Sequence, residues 1–185
     1  MDLSIIIGVD EAGRGPLAGP VIASAVILST TIPGLTDSKK LSEKKRELLA
    51  KRIQEQALAF SYGEASVAEI DTLNIHQATL MAMKRAIDGI TLPAKKVLID
   101  GCFAPQNLTI ESETLIQGDL LHPSISAASI LAKVKRDHMM YEYDTLYPEY
   151  QFAKHKGYGT AHHLQAIREF GPCPIHRLSF KPLKV

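Results

Sequence analysis

The sequence has too little cysteine for a disulfide scaffold. Cys102 and Cys173 are its only two. They sit far apart in a chain long enough to build its own core, and they read as reduced thiols of a cytosolic protein. Long hydrophobic runs are missing as well: no apolar stretch approaches the roughly 20 residues that a membrane helix needs. The start, MDLSIIIGVDEAG, has an acid at position 2 and no basic segment, so no signal peptide is expected. Internal repeats and low-complexity tracts are absent. No charge sign dominates either. Lys and Arg number 21 against 20 Asp and Glu, for a net charge of +1, so bulk charge selects no partner.

Several common catalytic signatures are also missing. Gly8 to Gly15 reads G-V-D-E-A-G-R-G, without the Lys and hydroxyl of a phosphate loop and with two acids where phosphates would lie. Gly13, Gly15 and Gly19 are spaced one residue too long for a dinucleotide fingerprint, and a strand follows where a helix is required. His155, His162 and His163 lack the cysteine pair that would suggest structural zinc. No G-x-S-x-G occurs, so a serine hydrolase lacks its elbow.

What is present is an ordinary globular composition, 45% hydrophobic, with patterning that alternates between strand and helix. Strands are expected at 4–10, 21–28, 60–67 and 95–101, with one or two short ones in 108–117. The first two could pair as a hairpin across the Gly/Pro loop 13–20. Helices are expected from Ser42 as N-cap to about Leu58, over 71–86, from Ser124 to about Tyr143, and over 160–170, ended by Gly171-Pro172. The order predicts an α/β fold, a mixed sheet with helices packed on it. A catalytic domain over 1–145 and a small helical C-terminal part over 146–185 packed on it would form one unit.

Acids stand at the ends of the regular elements. Asp10 and Glu11 end the first strand, Asp100 ends the central one, and Asp137 lies on the long helix. Clustered carboxylates repel one another unless a cation is present, and hard oxygen ligands suit magnesium or manganese. Such a site can serve phosphodiester hydrolysis. Adjacent strand residues point to opposite faces, so Asp10 and Glu11 can share a site only if the strand twists or ends there. The alternative for each acid is a cap or a surface charge. Asp119, read as a loop acid, is left outside the set. Charge distribution fits a groove for a polyanion: Ile99 to His122 holds four acids and no Lys or Arg, while Thr36 to Arg52 holds seven basic residues against three acidic. Solvated helix faces are the competing explanation for the basic run.

G-V-D-E-A-G-R-G-P-L-A-G-P-V (8–21) resembles the opening signature of the type 2 ribonucleases H, the ribonuclease HII family. Matching blocks follow in family order: D-S-K-K-L (37–41), I-D-G (99–101), A-A-S-I-L-A-K-V-K-R-D (127–137), H-K-G-Y-G-T (155–160) and H-R-L-S-F (176–180). They run nearly end to end. The resemblance implies a ribonuclease H-like sheet and a four-acid site of Asp10, Glu11, Asp100 and Asp137 holding two Mg2+ or Mn2+ ions. It implies cleavage of RNA in RNA–DNA hybrids, and of duplex DNA on the 5′ side of embedded ribonucleotides, leaving a 3′-hydroxyl and a 5′-phosphate. Gly13, Arg14 and Gly15 would meet the ribose 2′-hydroxyl, and Tyr158 would stack on the following deoxyribose. Lys39 and Lys40 are expected on phosphates. Ser129 and Lys133, eight and four residues before Asp137 and on about the same helix face, are expected there too, unless Lys133 only pairs with Asp137. His155, Lys156 and Arg177 are expected near the nucleic acid, whereas His162 and His176 read as structural histidines. A monomer without an obligate protein partner is expected. A non-catalytic hybrid-binding module, or a metal nuclease of the same fold with another substrate, remain as alternatives.

Overall fold

Gly8 is the point on which the layers are registered. A Cβ there would stand 2.2 Å from the carbonyl carbon of Ser124 and 2.3 Å from the nitrogen of Ile125. The backbone of a long helix therefore lies directly on the central strand, and only glycine permits it. The computed structural model describes residues 5–36 and 38–184, without the side chain of Lys39.

The central strand is β1 (Ile6–Ala12), paired antiparallel with β2 (Val21–Leu28) as the hairpin signal predicts. The other strands are β3 (Ala57–Ala65), β4 (Lys96–Asp100) and β5 (Glu111–Leu115), in sheet order β3-β2-β1-β4-β5. β3 is antiparallel to β2, whereas β4 runs parallel to β1 and β5 parallel to β4. Parallel pairing brings the C-terminal ends of β1 and β4 to one edge. Val9 is paired with Ile99, so Asp10 and Asp100 emerge side by side.

Helices cover both faces. On one side α2 (Val67–Leu73) and α3 (Ile75–Asp88) carry the packed layer, with Ala78, Ala82 and Met83 against Ile7, Val9, Val97 and Ile99. On the other, α1 (Glu43–Gln56) and α5 (Pro123–Leu146) bury Ile53, Ala127 and Leu131 with Val26. Strand alternation then places Gly8, Asp10 and Asp100 on the α5 side. The C-terminal elements α6 (Phe152–His155) and α7 (Ala161–Phe170) help build a third cluster, in which Tyr150, Phe152, Ala166 and Ile175 meet Ala18 and Met140.

Several elements differ from the sequence expectation. The helix expected over 71–86 is two helices parted at Asn74, which adopts φ 72° and caps α3 by accepting from the amides of His76 and Gln77. Asn tolerates that backbone and makes a good cap, so local side-chain bonding outweighs the continuous apolar pattern. α1 ends at Gln56 and passes straight into β3, ahead of the expected Leu58. Between β5 and α5 stands a four-residue helix, α4 (Gly118–Leu121), too short to show a periodicity.

Candidate active site

β4 stops at Asp100, so beyond Val9 the central strand has no partner on that side. A cavity of about 510 Å3 opens there. Asp10, Glu11 and Asp100 line it. β1 itself continues to Ala12, so the strand does not end at the acids; Glu11 reaches the cavity because its edge is open. Asp10 is buried, and its Oδ1 accepts from the Glu11 amide at 2.7 Å. Burial pushes its carboxyl well above the usual carboxylate range, and the charges of Glu11 and Asp100 push it further. Burial likewise raises Glu11; Arg14, 3.5 Å away, partly offsets this, while Asp100 adds to it.

The fourth acid on this cavity is Asp119, not Asp137. Gly118 at the start of α4 donates its amide to Asp100 Oδ1 at 2.7 Å, and Asp119 joins the cavity wall beside it. Asp137 lies outside the lining. Its side chain is 5% exposed, with Oδ1 2.6 Å from Lys133 Nζ and Oδ2 3.9 Å from Arg46. Arg46 in turn donates to the carbonyls of Ser38 and Leu41 at 2.7 and 3.1 Å. Asp137 thus fastens α5 to the loop before α1. The acid-only stretch from Ile99 to His122 contained the signal for Asp119, but a four-residue helix offers no pattern to place it.

Among the described residues, no three Asp, Glu, His or Cys side chains stand close enough to close around one ion. The donor set nevertheless fits a hard divalent cation. It is all carboxylate oxygen, and two of its members are destabilised as anions by burial and by mutual repulsion that a cation would relieve.

Gly13, Arg14 and Gly15 also line the cavity, as a lip that follows Glu11 in the chain. Gly13 has φ 99°, and a Cβ on it would lie 2.1 Å from Arg136 Nε. Tyr158 stands across from Gly15; its Cε1 would be 3.4 Å from a Cβ there, and the side chain remains 48% exposed. Ser129 and Lys133 line the floor, with Ser129 Oγ 3.0 Å from Ser38 Oγ.

The remaining expected contacts fall elsewhere. Arg177 is fully buried. Its guanidinium donates to the carbonyls of Gly13, Arg14, Pro16, Gly19 and Pro20, at 2.5, 2.9, 2.8, 2.9 and 3.3 Å. Arg136 donates to those of Ala18, Pro20 and Lys156, at 3.0, 3.1 and 3.0 Å. Burial pushes Arg177 down to about 9 and Arg136 to about 10. Arg177 therefore shapes the lip from behind and lies outside the cavity lining. His155 is turned inward, its Nε2 donating to the Tyr150 carbonyl at 2.8 Å. Lys156 Nζ lies 4.0 Å above the Tyr141 ring. Lys40 is exposed and outside the lining, and the side chain of Lys39 lies outside the described residues.

A family model described as ribonuclease HII matches residues 7–183. The chain belongs to the ribonuclease HII family. It is a ribonuclease H endonuclease of α/β, ribonuclease H-like fold. A ribonuclease HII of Desulfitobacterium hafniense is 57% identical over 181 residues, 97% of this chain and 69% of the relative. One from Hyphomonas neptunium is 55% identical over 196 residues, covering 97% and 95%. Among solved structures, ribonuclease H2 from Pyrococcus horikoshii superposes with TM-score 0.79 at 22% identity, over 97% and 95% of the two chains. Bst-RNase HIII in complex with Mn2+ gives 0.73 at 18%, over 97% and 68%. RNase HII of Archaeoglobus fulgidus, solved in complex with PCNA, gives 0.72 at 20%, over 96% and 95%.

Proposed function

We propose that this ribonuclease HII cuts the RNA strand of RNA–DNA hybrids and nicks duplex DNA on the 5′ side of single embedded ribonucleotides, leaving 3′-hydroxyl and 5′-phosphate ends. The observation that supports this most is one cavity lined both by acids and by the Gly13-Arg14-Gly15 lip with Tyr158. Asp10 and Glu11 precede the lip by only a few residues, so a scissile phosphate at the acids puts its neighbouring ribose at the lip.

Asp10, Glu11, Asp100 and Asp119 would hold Mg2+ or Mn2+, two ions during the reaction. When bound, such ions make the attacking water more acidic and offset charge on the leaving oxygen. The chain's own residues do the rest. Arg14 and the glycine backbone read the 2′-hydroxyl, for which a side chain at Gly13 or Gly15 would be an obstacle. Tyr158 stacks on the sugar that follows. Lys133 and Ser129 meet phosphate at the floor, and Lys40 with Lys39 extends the electrostatic footprint beyond it. A module that only bound hybrids would gain nothing from buried acids where phosphate must lie.

Action as a monomer without an obligate protein partner is part of this reading. No helix among the described residues is long and apolar enough to cross a membrane. Cys102 and Cys173 are not joined, as suits a reducing, cytoplasmic setting. The reading is tested with three matched duplexes: continuous hybrid, single ribonucleotide, and all DNA, each in Mg2+, Mn2+ or chelator. Cleavage of the first two in metal only is expected. Cleavage of the all-DNA duplex at a similar rate would overturn the specificity.

A further inference from the structure

His163 and His176 are buried behind Tyr158, and neither lines the cavity. Their Nε2 atoms stand 3.0 Å apart. The backbone groups at either end decide which ring nitrogens carry protons. A carbonyl oxygen can only accept, so His163 Nδ1, 2.9 Å from the Tyr158 carbonyl, must hold a proton. An amide can only donate, so His176 Nδ1, 2.9 Å from the Cys173 nitrogen, must be bare. The Cys173 carbonyl lies farther from that ring nitrogen, at 3.3 Å, and already accepts from the His176 amide at 2.9 Å. His176 therefore carries its proton on Nε2 and donates it to the bare Nε2 of His163. A single neutral arrangement satisfies the whole chain, running from the Cys173 N–H through His176 and His163 to the Tyr158 carbonyl.

The surroundings lock this arrangement. The Phe152 ring packs edge-on against His163, and the His155 ring stacks on it at 4.4 Å. His155 accepts from the Gly157 amide at 3.2 Å through Nδ1. The Gly157 carbonyl accepts from Leu17 at 2.8 Å, tying the segment to the lip of the cavity. Burial pushes His163 down to about 4, and the neighbouring imidazoles add to the effect, so the neutral form persists at ordinary pH. Tyr158 itself projects half-exposed between Gly157 and Gly159; its amide donates to the His155 carbonyl at 2.9 Å, and its carbonyl accepts from the Thr160 amide at 2.8 Å as well as from His163.

We infer that His163 and His176 form a relay that positions Tyr158, and through it the selectivity for a ribonucleotide followed by DNA. The inference rests on the reading of Tyr158 as the junction-stacking residue. Neither histidine touches substrate; both act by fixing one carbonyl.

Two measurements test it. In the first, two-bond 15N correlation spectra of the intact protein at neutral pH should show His163 protonated on Nδ1 and His176 on Nε2. The reverse tautomers would overturn the relay. In the second, initial rates are compared on a single-ribonucleotide duplex and a continuous hybrid. Tyr158→Ala should lose preference for the single-ribonucleotide substrate; equal losses on both would overturn the underlying reading and the inference with it. With that selectivity in hand, His163→Ala should lower the preference by about fivefold, the worth of about one hydrogen bond. His163→Asn, whose amide can reach the Tyr158 carbonyl, should restore most of it. The double variant with Tyr158→Ala should add no further loss. If His163→Ala does not fold, His176→Ala makes the same cut one step upstream. Preference unchanged in a folded histidine variant, or Asn no better than Ala, would leave these residues as packing and overturn the relay.

Discussion

The amide of Gly118 donates to Asp100 Oδ1 at 2.7 Å, and this bond joins the start of α4 to the end of the central strand pair. It brings Asp119 to a wall already formed by Asp10, Glu11 and Asp100. Without it, the acidic turn before α5 would be a surface loop. The carboxylates it gathers have a measurable consequence for stability.

Asp10 keeps its proton to higher pH in the folded chain than in the unfolded one, because burial and the neighbouring acids disfavour its anion. Between those two pKa values the folded state binds more protons, so stability falls as pH rises through that window. In chelator, Asp10→Asn should therefore melt above the parent protein at neutral pH. The gap should close well below the ordinary Asp range, where both forms are neutral. Added Mn2+ should raise the melting temperature of the parent more than that of the variant. Thermal melts at two pH values, with and without metal, decide this; a variant less stable at both pH values would contradict it.

Gly8→Ala places a methyl group inside the backbone of α5 at Ser124 and Ile125. Backbone cannot yield as a flexible side chain does, so a loss of about 3 kcal/mol or more is expected. Urea denaturation measures it. A near-neutral effect would mean that α5 can lift from the sheet.

Arg177→Lys keeps the charge but replaces five forked donors by three at one point. The Pro20 carbonyl keeps Arg136, so at least one of the other four carbonyls in and behind the lip would lose its partner, for a cost of about 1–3 kcal/mol. Rates on hybrid and single-ribonucleotide substrates should fall together, because the lip serves both. A selective loss on one substrate alone would separate Arg177 from the lip.

Much of this was legible in the residues. The hairpin, the apolar strand ending at Asp100 and the long helix with Ser129, Lys133 and Asp137 on one face follow from periodicity and end signals. So does the capping of α1 by Ser42, which accepts from the Lys45 amide. The less legible parts depend on contacts remote in sequence. Arg177 looks like a groove cation until its guanidinium is seen behind the lip, 164 residues from Gly13. His155 and Lys156 likewise sit in a block that reads as binding, yet they brace it through the Tyr150 carbonyl and the Tyr141 ring. Asp137 shares the helix face expected for it, but Lys133 and Arg46 take up its carboxylate. Pattern locates a side chain on a face; only packing says which partner it meets.

The most direct test of the account compares Asp119→Asn with Asp137→Asn on a duplex bearing one ribonucleotide, at saturating Mg2+ and again in Mn2+. Asp119→Asn should lose about a thousandfold or more in rate, about 4 kcal/mol of barrier, while its melting temperature holds or rises. Asp137→Asn should stay within about tenfold of the parent but lose stability, because Lys133 and Arg46 lose a buried partner. The opposite pattern, an inert Asp137→Asn beside an active Asp119→Asn, would contradict the assignment of the acids to this cavity.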